Sequence, residues 1–433
     1  MPDSSESSPS HSKASTQWWK LIGPGLLYAG AAVGVSHLVQ STRAGALFGM
    51  MMVLAVLGAN LLKYPFFEYG PRYTGATGQT LLEGYLKLGK GFLWLFAGIT
   101  IATVFIIQAA ITVVTAGLAE RLLGWEWTPQ QWSLLLLAIC IGILALGNYR
   151  VLDRLMKVII ITLSITTLVA FFSAFFGEHQ VSEASMTAFS FAKAEHLAFF
   201  IALLGWMPAP IDIAVWHSVW CVASNQQSGQ RASLANLLFD FKIGYWGTTL
   251  LAVCFVALGA MVMYGSGEEP ARQGPAFAGQ IIQLYTASIG QWAWWIIAIA
   301  AFTTMFSTTL TVLDAYPRVL AQTSRLLLPK MAGFQKERNI YWFWLGITAA
   351  GTVLLLFQFL SNMRAMVDLA TTISFLLAPV LAWMNYKAVT LPDIPQEARP
   401  DKWLKWWTFI GMALLIGLGL LYGISLFPNY GSG

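Results

Sequence analysis

Two ionisable side chains stand inside long apolar stretches of this sequence, where they could bind a cation or exchange a proton. His37 ends the run GAAVGVSH, whose other residues are small or aliphatic. Asp212 follows two prolines, Pro208 and Pro210, in the run GWMPAPID. A charged group in an apolar environment is costly and rare, so it marks an ion, proton or substrate site by default. Histidine is also the side chain best suited to exchange protons near neutral pH.

The same two runs predict breaks in the helices that carry them. Small residues weaken the first run, and paired prolines remove two amide donors from the second. We therefore expect the backbone to be unwound around residues 34–36 and 207–210. The residues predicted to bind the substrate at these breaks are Gly34, Ser36, His37, Met207, Pro210 and Asp212.

Each ionisable residue also has a structural interpretation. His37 could donate to a freed carbonyl, Asp212 could cap the helix that follows it, and His217, further along, favours a structural role. If the residues are functional, His37, Asp212 and His217 carry the coupled protons. A metal, if one is bound, is held by His37, Asp212 and Met207.

The composition places these residues in a membrane. Hydrophobic residues make up 57% of the 433 residues, charged residues make up 10%, and the mean hydropathy is +0.63. A soluble domain averages about 25% charged residues. Most apolar segments approach or exceed the roughly 20 residues that cross a bilayer as a helix. The sequence therefore predicts an all-α integral membrane protein of about eleven transmembrane helices, near residues 20–43, 46–70, 92–119, 131–148, 153–177, 196–222, 240–264, 290–322, 340–361, 365–387 and 404–427.

Basic residues predict the orientation, because cytoplasmic loops are rich in Lys and Arg. With the N-terminus in the cytoplasm, most of the 25 basic residues fall on the inner side of the cell (inner) membrane. Lys63, inside the second helix, is expected to snorkel to that face. The basic residues on the outer side are Arg43, Arg121, Lys193, Arg272 and Arg364.

The two interrupted helices occupy positions one and six of a ten-helix core. This arrangement predicts two inverted repeats, helices 1–5 and 6–10, followed by one extra helix. A broken helix at membrane depth is tolerated only where it is buried in protein or lines a wet cavity. The alternative is that Gly and Pro merely kink these helices. The transporter domain is predicted at 18–427, between a disordered cytoplasmic tail (1–17) and a short extracytoplasmic tail (428–433).

Several other classes of protein do not fit the sequence. It has no HExxH, GxSxG or CxxC motif, so an enzyme is not expected, and no filter repeat indicates a channel. The three cysteines lie in apolar runs and are interpreted as buried hydrophobes. We expect membrane lipids and a small ion or solute as partners, no nucleic acid, no cofactor and a monomeric state.

Six further segments of the chain form one recognisable set. They are Gly23-Pro24-Gly25, the run from Thr42 to Gly49, Ala59-Asn60-Leu61, the loop from Thr74 to Leu81, His217-Ser218, and the run from Ser307 to Thr311. Together they resemble the NRAMP metal transporters over most of the chain. The resemblance implies a LeuT-type fold, alternating access and symport of metal ions.

The resemblance also implies a possible ion site at Ser307, Thr308 and Thr311. In LeuT-type folds this place can hold sodium together with carbonyls of the first helix. The alternative is that these hydroxyls bond back to their own helix. The coupling ion therefore stays open between H⁺ and Na⁺.

The chain departs from the family at the metal ligands. Residues 34–37, Gly-Val-Ser-His, stand where the family has Asp-Pro-Gly-Asn. Counted back from His217, the family's Met and His positions hold Pro210 and Asp212. Gln108 lies near an expected Asp of the third helix, and residues 98–118 contain no carboxylate.

These departures leave the cargo open. A divalent cation needs anionic oxygens or soft donors in place of its water, and the usual manganese and iron ligands are missing. One interpretation is a metal cation in a remodelled site. The others are a small organic or other non-metal solute, and a sensor on the same scaffold that does not transport.

Overall fold

The computed structural model describes residues 23–146, 149–177, 187–328, 334–359 and 362–427. Within these ranges the chain is almost entirely helical and has no strand, which confirms the predicted all-α fold. The tails predicted at 1–17 and 428–433 lie outside the described residues.

The α-helices are α1 (Pro24–Ala32), α2 (Thr42–Phe48), α3 (Met52–Thr77), α4 (Leu81–Leu88), α5 (Lys90–Leu123), α6 (Pro129–Leu146), α7 (Tyr149–Phe176), α8 (Ala194–Trp206), α9 (Ile213–Ser228), α10 (Leu234–Val262), α11 (Gly274–Ile289), α12 (Trp294–Leu327), α13 (Phe334–Phe359), α14 (Met363–Val389) and α15 (Lys402–Ser425).

Each predicted span overlaps a helix or a pair of helices that continues across a break. Eight helical segments in the described ranges are long and apolar enough to cross a membrane. Two shorter helices, α4 and α11, were not predicted. Thr80 and Glu83 form a capping box at the start of α4, a local signal that hydropathy overlooks. The 16 residues of α11 are too few to cross a bilayer.

The first predicted break is present but begins earlier than expected. Helix α1 ends at Ala32, Val33 is extended, and Gly34 lies in a bend. The chain then forms a π-helical turn, Ser36–Ser41, that leads into α2. Ser36, expected in the unwound segment, therefore belongs to this turn.

The second predicted break falls where the prolines are. Helix α8 ends at Trp206, and regular helix resumes at Ile213 in α9. The peptide bond between Met207 and Pro208 is cis. Residues 207–210 are non-helical as predicted, and the irregular segment extends through Asp212.

Close helix packing against α10 positions the segment after the first break. A Cβ atom on Gly45 would lie 1.9 Å from the carbonyl oxygen of Val256, and one on Gly259 would lie 2.2 Å from that of Thr42. Small residues let membrane helices approach this closely. At the other end of the broken helix, the carboxylate of Asp240 in α10 accepts from the amides of Gly23 (3.1 Å) and Gly25 (2.6 Å). This negative charge stabilises the N-terminus of α1.

Candidate functional site

The two helix breaks lie beside each other and border one small cavity. Its volume is about 20 Å³, room for about one water molecule. A larger solute could therefore enter only if the surrounding helices moved apart. The lining residues are Ala31, Ala32, Val35, Ser36, Ile107, Ile111, Trp206, Pro210, Ile213, Trp216, Thr308 and Val312.

The lining is mostly apolar and contains no ionisable side chain. Trp206 and Trp216 supply aromatic surface, and the indole Nε1 of Trp216 is buried without a hydrogen-bond partner within the described ranges. Ser36 and Thr308 supply hydroxyls. Pockets for small molecules have this character, with an apolar wall and a few placed polar groups.

Thr308 closes the end of α1. Its hydroxyl lies 3.3 Å from the carbonyl oxygen of Val33, 3.4 Å from that of Gly30 and 3.1 Å from that of Thr304. Ser307 bonds back to Thr304 at 2.8 Å. Three carbonyls and a hydroxyl therefore converge at the predicted ion site, beside the first break.

His37 points toward α10. Its Nε2 lies 2.9 Å from the carbonyl oxygen of Thr248, and its Nδ1 lies 2.7 Å from the hydroxyl of Ser36. That hydroxyl also lies 2.7 Å from the carbonyl oxygen of Ala32. When His37 is neutral and donates to Thr248, Ser36 can donate either to Nδ1 or to Ala32. A protonated ring donates at both nitrogens, so the Ser36 hydroxyl must then turn to Ala32.

Asp212 faces α12 instead. Its Oδ2 accepts a 2.8 Å hydrogen bond from the hydroxyl of Tyr316, and its Oδ1 is buried with no hydrogen-bond partner among the residues that the structure describes. Although Asp212 precedes α9 at the cap position, its side chain makes no capping bond. No hydrogen bond joins Asp212 to His37. The structure thus gives the predicted proton pair two separate environments.

The other predicted ligands do not gather into a metal site. His217 is fully buried against the rings of Tyr28 and Phe241, and neither ring nitrogen has a hydrogen-bond partner in the described part of the chain. Met207 is also fully buried and does not line the cavity. Among the described residues, no group of three or more His, Cys, Asp or Glu side chains is placed to hold a metal.

Lys63 corrects one sequence-based expectation. It does not snorkel to the inner face, since it is fully buried and donates to the carbonyls of Leu204 and Gly205 at the end of α8. A single lysine in an apolar helix gives no signal of its partner. Trp216 and Tyr316 were likewise missed, because aromatic residues in apolar helices are usually part of the core.

The fold resembles solved transporters of the LeuT type. One is the manganese transporter of Eremococcus coleocola in complex with an aromatic bis-isothiourea compound, at a TM-score of 0.68 and 13% identity, covering 95% of this chain and 87% of that one. Another is MhsT in complex with L-phenylalanine, at a TM-score of 0.58 and 15% identity, covering 94% of this chain and 98% of that one. A third is MHP1 with bound bromovinylhydantoin, at a TM-score of 0.56 and 14% identity, covering 95% of each chain. These similarities confirm the predicted LeuT-type fold.

The family is shown by the sequence. The chain belongs to the Nramp family, described as natural resistance-associated macrophage protein-like, which matches residues 25–425. It is 37% identical over 419 residues to the uncharacterized protein PM0681 of Pasteurella multocida (strain Pm70), covering 96% of this chain and 94% of that protein. The resemblance seen in the sequence and the prediction of a non-enzyme are both confirmed by this membership.

Proposed function

We propose that this protein is a secondary transporter that works by alternating access and carries a small organic solute with an apolar body. The observation that carries the proposal is the lining of the cavity between the broken helices. Two tryptophans and several aliphatic side chains form the wall, and no lining side chain is ionisable. Such a surface suits an aromatic or aliphatic solute with few polar groups.

Manganese and iron fit this lining poorly. A divalent cation must exchange its water for oxygen, nitrogen or sulfur donors, and anionic or soft ligands bind it best. Gly34 and Pro210, at the family's ligand positions, have no donor side chain. Asp212 bonds to Tyr316 and His37 to Thr248, on different helices. Metal transport therefore has family membership in its favour but little support from the site.

The fold leaves the choice of cargo to the site. Its solved neighbours include a manganese transporter and proteins crystallised with L-phenylalanine or a hydantoin. One scaffold can host different functions, so the residues of the site decide between them.

For coupling, we propose a sodium ion at Thr308. The carbonyls of Gly30, Val33 and Thr304 surround its hydroxyl at 3.1–3.4 Å, and a sodium ion could replace the weak hydrogen bonds there. A proton on His37 is the second candidate, because it would redirect the Ser36 hydroxyl at the cavity edge. We further propose that the protein lies in the cell (inner) membrane with its N-terminus in the cytoplasm, following the distribution of Lys and Arg.

A ligand-binding experiment first tests whether the protein binds an organic solute or a metal ion. Purified protein is screened by thermal shift and tryptophan fluorescence against small organic solutes, Mn²⁺ and Cd²⁺. We expect saturable stabilisation by an organic solute, with a fluorescence change that is reduced in Trp216→Phe. Saturable binding of Mn²⁺ with no organic ligand would overturn the proposal.

Uptake into proteoliposomes then tests transport. The solute identified by binding is supplied with a sodium gradient, a pH gradient or neither. Sodium coupling predicts accumulation that needs the sodium gradient and falls in Thr308→Ala. Accumulation driven by pH and lost in His37→Gln would favour the proton instead. Binding without flux would indicate a sensor.

A further inference from the structure

Lys63 contacts the end of α8 where that helix breaks beside the cavity. Lys63 belongs to α3 and is fully buried. Its Nζ donates to the carbonyl oxygen of Gly205 at 3.0 Å and also to that of Leu204. Both carbonyls are in the last turn of α8, where backbone acceptors have no partner within the helix. That of Leu204 also accepts a long bond, 3.4 Å, from the amide of Met207.

A cation is the appropriate partner for this helix end. The C-terminus of a helix carries a partial negative charge, so a lysine there is stabilised. A buried lysine is in turn costly unless it is paired or hydrogen-bonded. The carbonyls at the end of α8 and the buried ammonium group of Lys63 therefore stabilise each other.

The two breaks are satisfied in different ways. At the end of α1, the carbonyls of Gly30 and Val33 meet the neutral hydroxyl of Thr308, which can rotate aside for an ion. At the end of α8, the carbonyls of Leu204 and Gly205 meet an ammonium group that is covalently part of the chain. A dissociable ion at the second break would compete with this fixed charge.

The contact also bears on the geometry of the cavity. Helix α8 packs mainly against α14, where a Cβ atom on Gly205 would lie 1.9 Å from the carbonyl oxygen of Thr371, and it has few contacts with α3. Lys63 therefore supplies a polar link from α8 to α3. The residue after Gly205 is Trp206, which lines the cavity.

We propose that Lys63 is the resident cation of the α8 break, a positioning residue that holds the end of α8 and with it Trp206. It takes the place that a dissociable cation would occupy at this break, so an exchangeable ion binds only at the α1 break. The restriction of an exchangeable ion to the α1 break rests on the proposed coupling site at Thr308. The role of Lys63 at the end of α8 does not depend on that site.

Chemical rescue tests the proposal without knowledge of the transported solute. Lys63→Ala removes three methylenes and the ammonium, a gap that n-propylammonium matches. We expect Lys63→Ala to lower the unfolding temperature and to speed hydrogen exchange in residues 200–206 about tenfold, as for a helix end that opens locally. Millimolar n-propylammonium should restore both, whereas 1-propanol and tetramethylammonium should not.

Further variants separate charge from hydrogen bonding. Lys63→Arg keeps a cation and should retain most of the protection, while Lys63→Gln keeps a donor without charge and should lose it. Lys242→Ala, at an exposed lysine of α10, is the control and should match the parent. If Lys63→Ala does not fold, the comparison of the Arg and Gln variants decides.

Three results would overturn the proposal. The first is hydrogen exchange in Lys63→Ala that is as slow as in the parent. The second is protection from exchange in Lys63→Gln that equals that of the parent. The third is rescue of Lys63→Ala by 1-propanol that is as complete as rescue by n-propylammonium. None of these measurements uses a cargo or a gradient. Failure here is therefore distinguishable from failure of the proposed function.

Discussion

Thr308 occupies the space beside Gly34. A Cβ atom built on residue 34 would lie 2.9 Å from both Oγ1 and Cγ2 of Thr308, closer than such atoms approach in folded proteins. The same threonine hydroxyl contacts the carbonyls that the break in the first helix exposes. The glycine at position 34 and the hydroxyl at position 308 are therefore complementary, since any side chain at 34 would displace the group that closes α1.

This contact predicts a strong coupling between the two positions. Gly34→Ala overpacks the site and should destabilise the protein by about 1–3 kcal/mol. The same change in a Thr308→Ala background should be less damaging, because the clashing atoms are gone. Unfolding of the parent, both single variants and the double variant in one detergent gives the coupling energy. Gly58→Ala, with no atom within 4 Å of the added carbon, is the control. Equal effects of Gly34→Ala in both backgrounds would refute the contact.

Manganese and cadmium should bind far more weakly here than to an Nramp transporter with the full ligand set. Replacing a carboxylate and a thioether leaves a dication without compensation for its lost water, and burying an uncompensated charge costs far more than burying a neutral polar group. Calorimetry should show no saturable heat at micromolar metal, with the Eremococcus coleocola manganese transporter as positive control. Micromolar affinity in the parent would mean that His37 and Asp212 replace the missing ligands.

The reverse experiment asks whether the ligands suffice. Gly34→Asp, His37→Asn and Pro210→Met restore the family's residue types at these positions. Since an aspartate at 34 meets Thr308, Thr308→Ala should be added to make room. We expect this fourfold variant to gain calorimetric metal binding and the threefold variant to gain less. Proline removal also alters the break in the sixth helix, so Pro210→Met alone is the required control.

The bond between Tyr316 and Asp212 predicts an order of stability. Tyr316→Phe leaves both carboxylate oxygens buried without a partner and should cost about 1–3 kcal/mol. Asp212→Asn keeps an acceptor for the tyrosine and should be milder. Tyr264→Phe, which removes an exposed bond to Thr187, is a matched control in the same unfolding assay. The idea is wrong if Tyr316→Phe unfolds like the parent, or if Asp212→Asn is the more damaging change.

The sequence is sufficient to predict the long apolar helices and both breaks, because hydropathy and proline chemistry act locally. It also identifies Asp212 as an ionisable residue in an apolar run but leaves open a capping role, and the structure shows no capping bond from its side chain. It does not predict the direction of His37, which lies within a π-helical turn, Ser36–Ser41. Such a turn, with its i→i+5 bonds, changes the face on which later side chains emerge. Lys63 illustrates the same limit, since its partners lie 141 and 142 residues away.

Beyond the π-helical turn, Arg43 links the first broken helix to α14. Its guanidinium binds both carboxylate oxygens of Asp368, at 2.7 and 3.0 Å, and also contacts Gln40 at 2.8 Å. The arginine side chain is 2% exposed and the aspartate side chain 32% exposed. The sequence predicts only that Arg43 lies on the outer side of the membrane, whereas the structure shows that its charge is buried and paired.

Removing only one partner of this pair should therefore be costly. Asp368→Asn leaves the buried guanidinium without its counter-charge, which costs about 3–5 kcal/mol in a fully buried pair and less here because the aspartate is partly exposed. The double variant Arg43→Met/Asp368→Leu should recover much of the loss, since apolar replacements of buried pairs are often neutral. The exposed pair of Lys87 and Asp393, at 2.6 Å, provides the comparison. The Asp393→Asn variant should lower the free energy of unfolding by less than about 1 kcal/mol. A similar value for Asp368→Asn in the same unfolding titration would show that the Arg43 pair contributes no more than a surface contact.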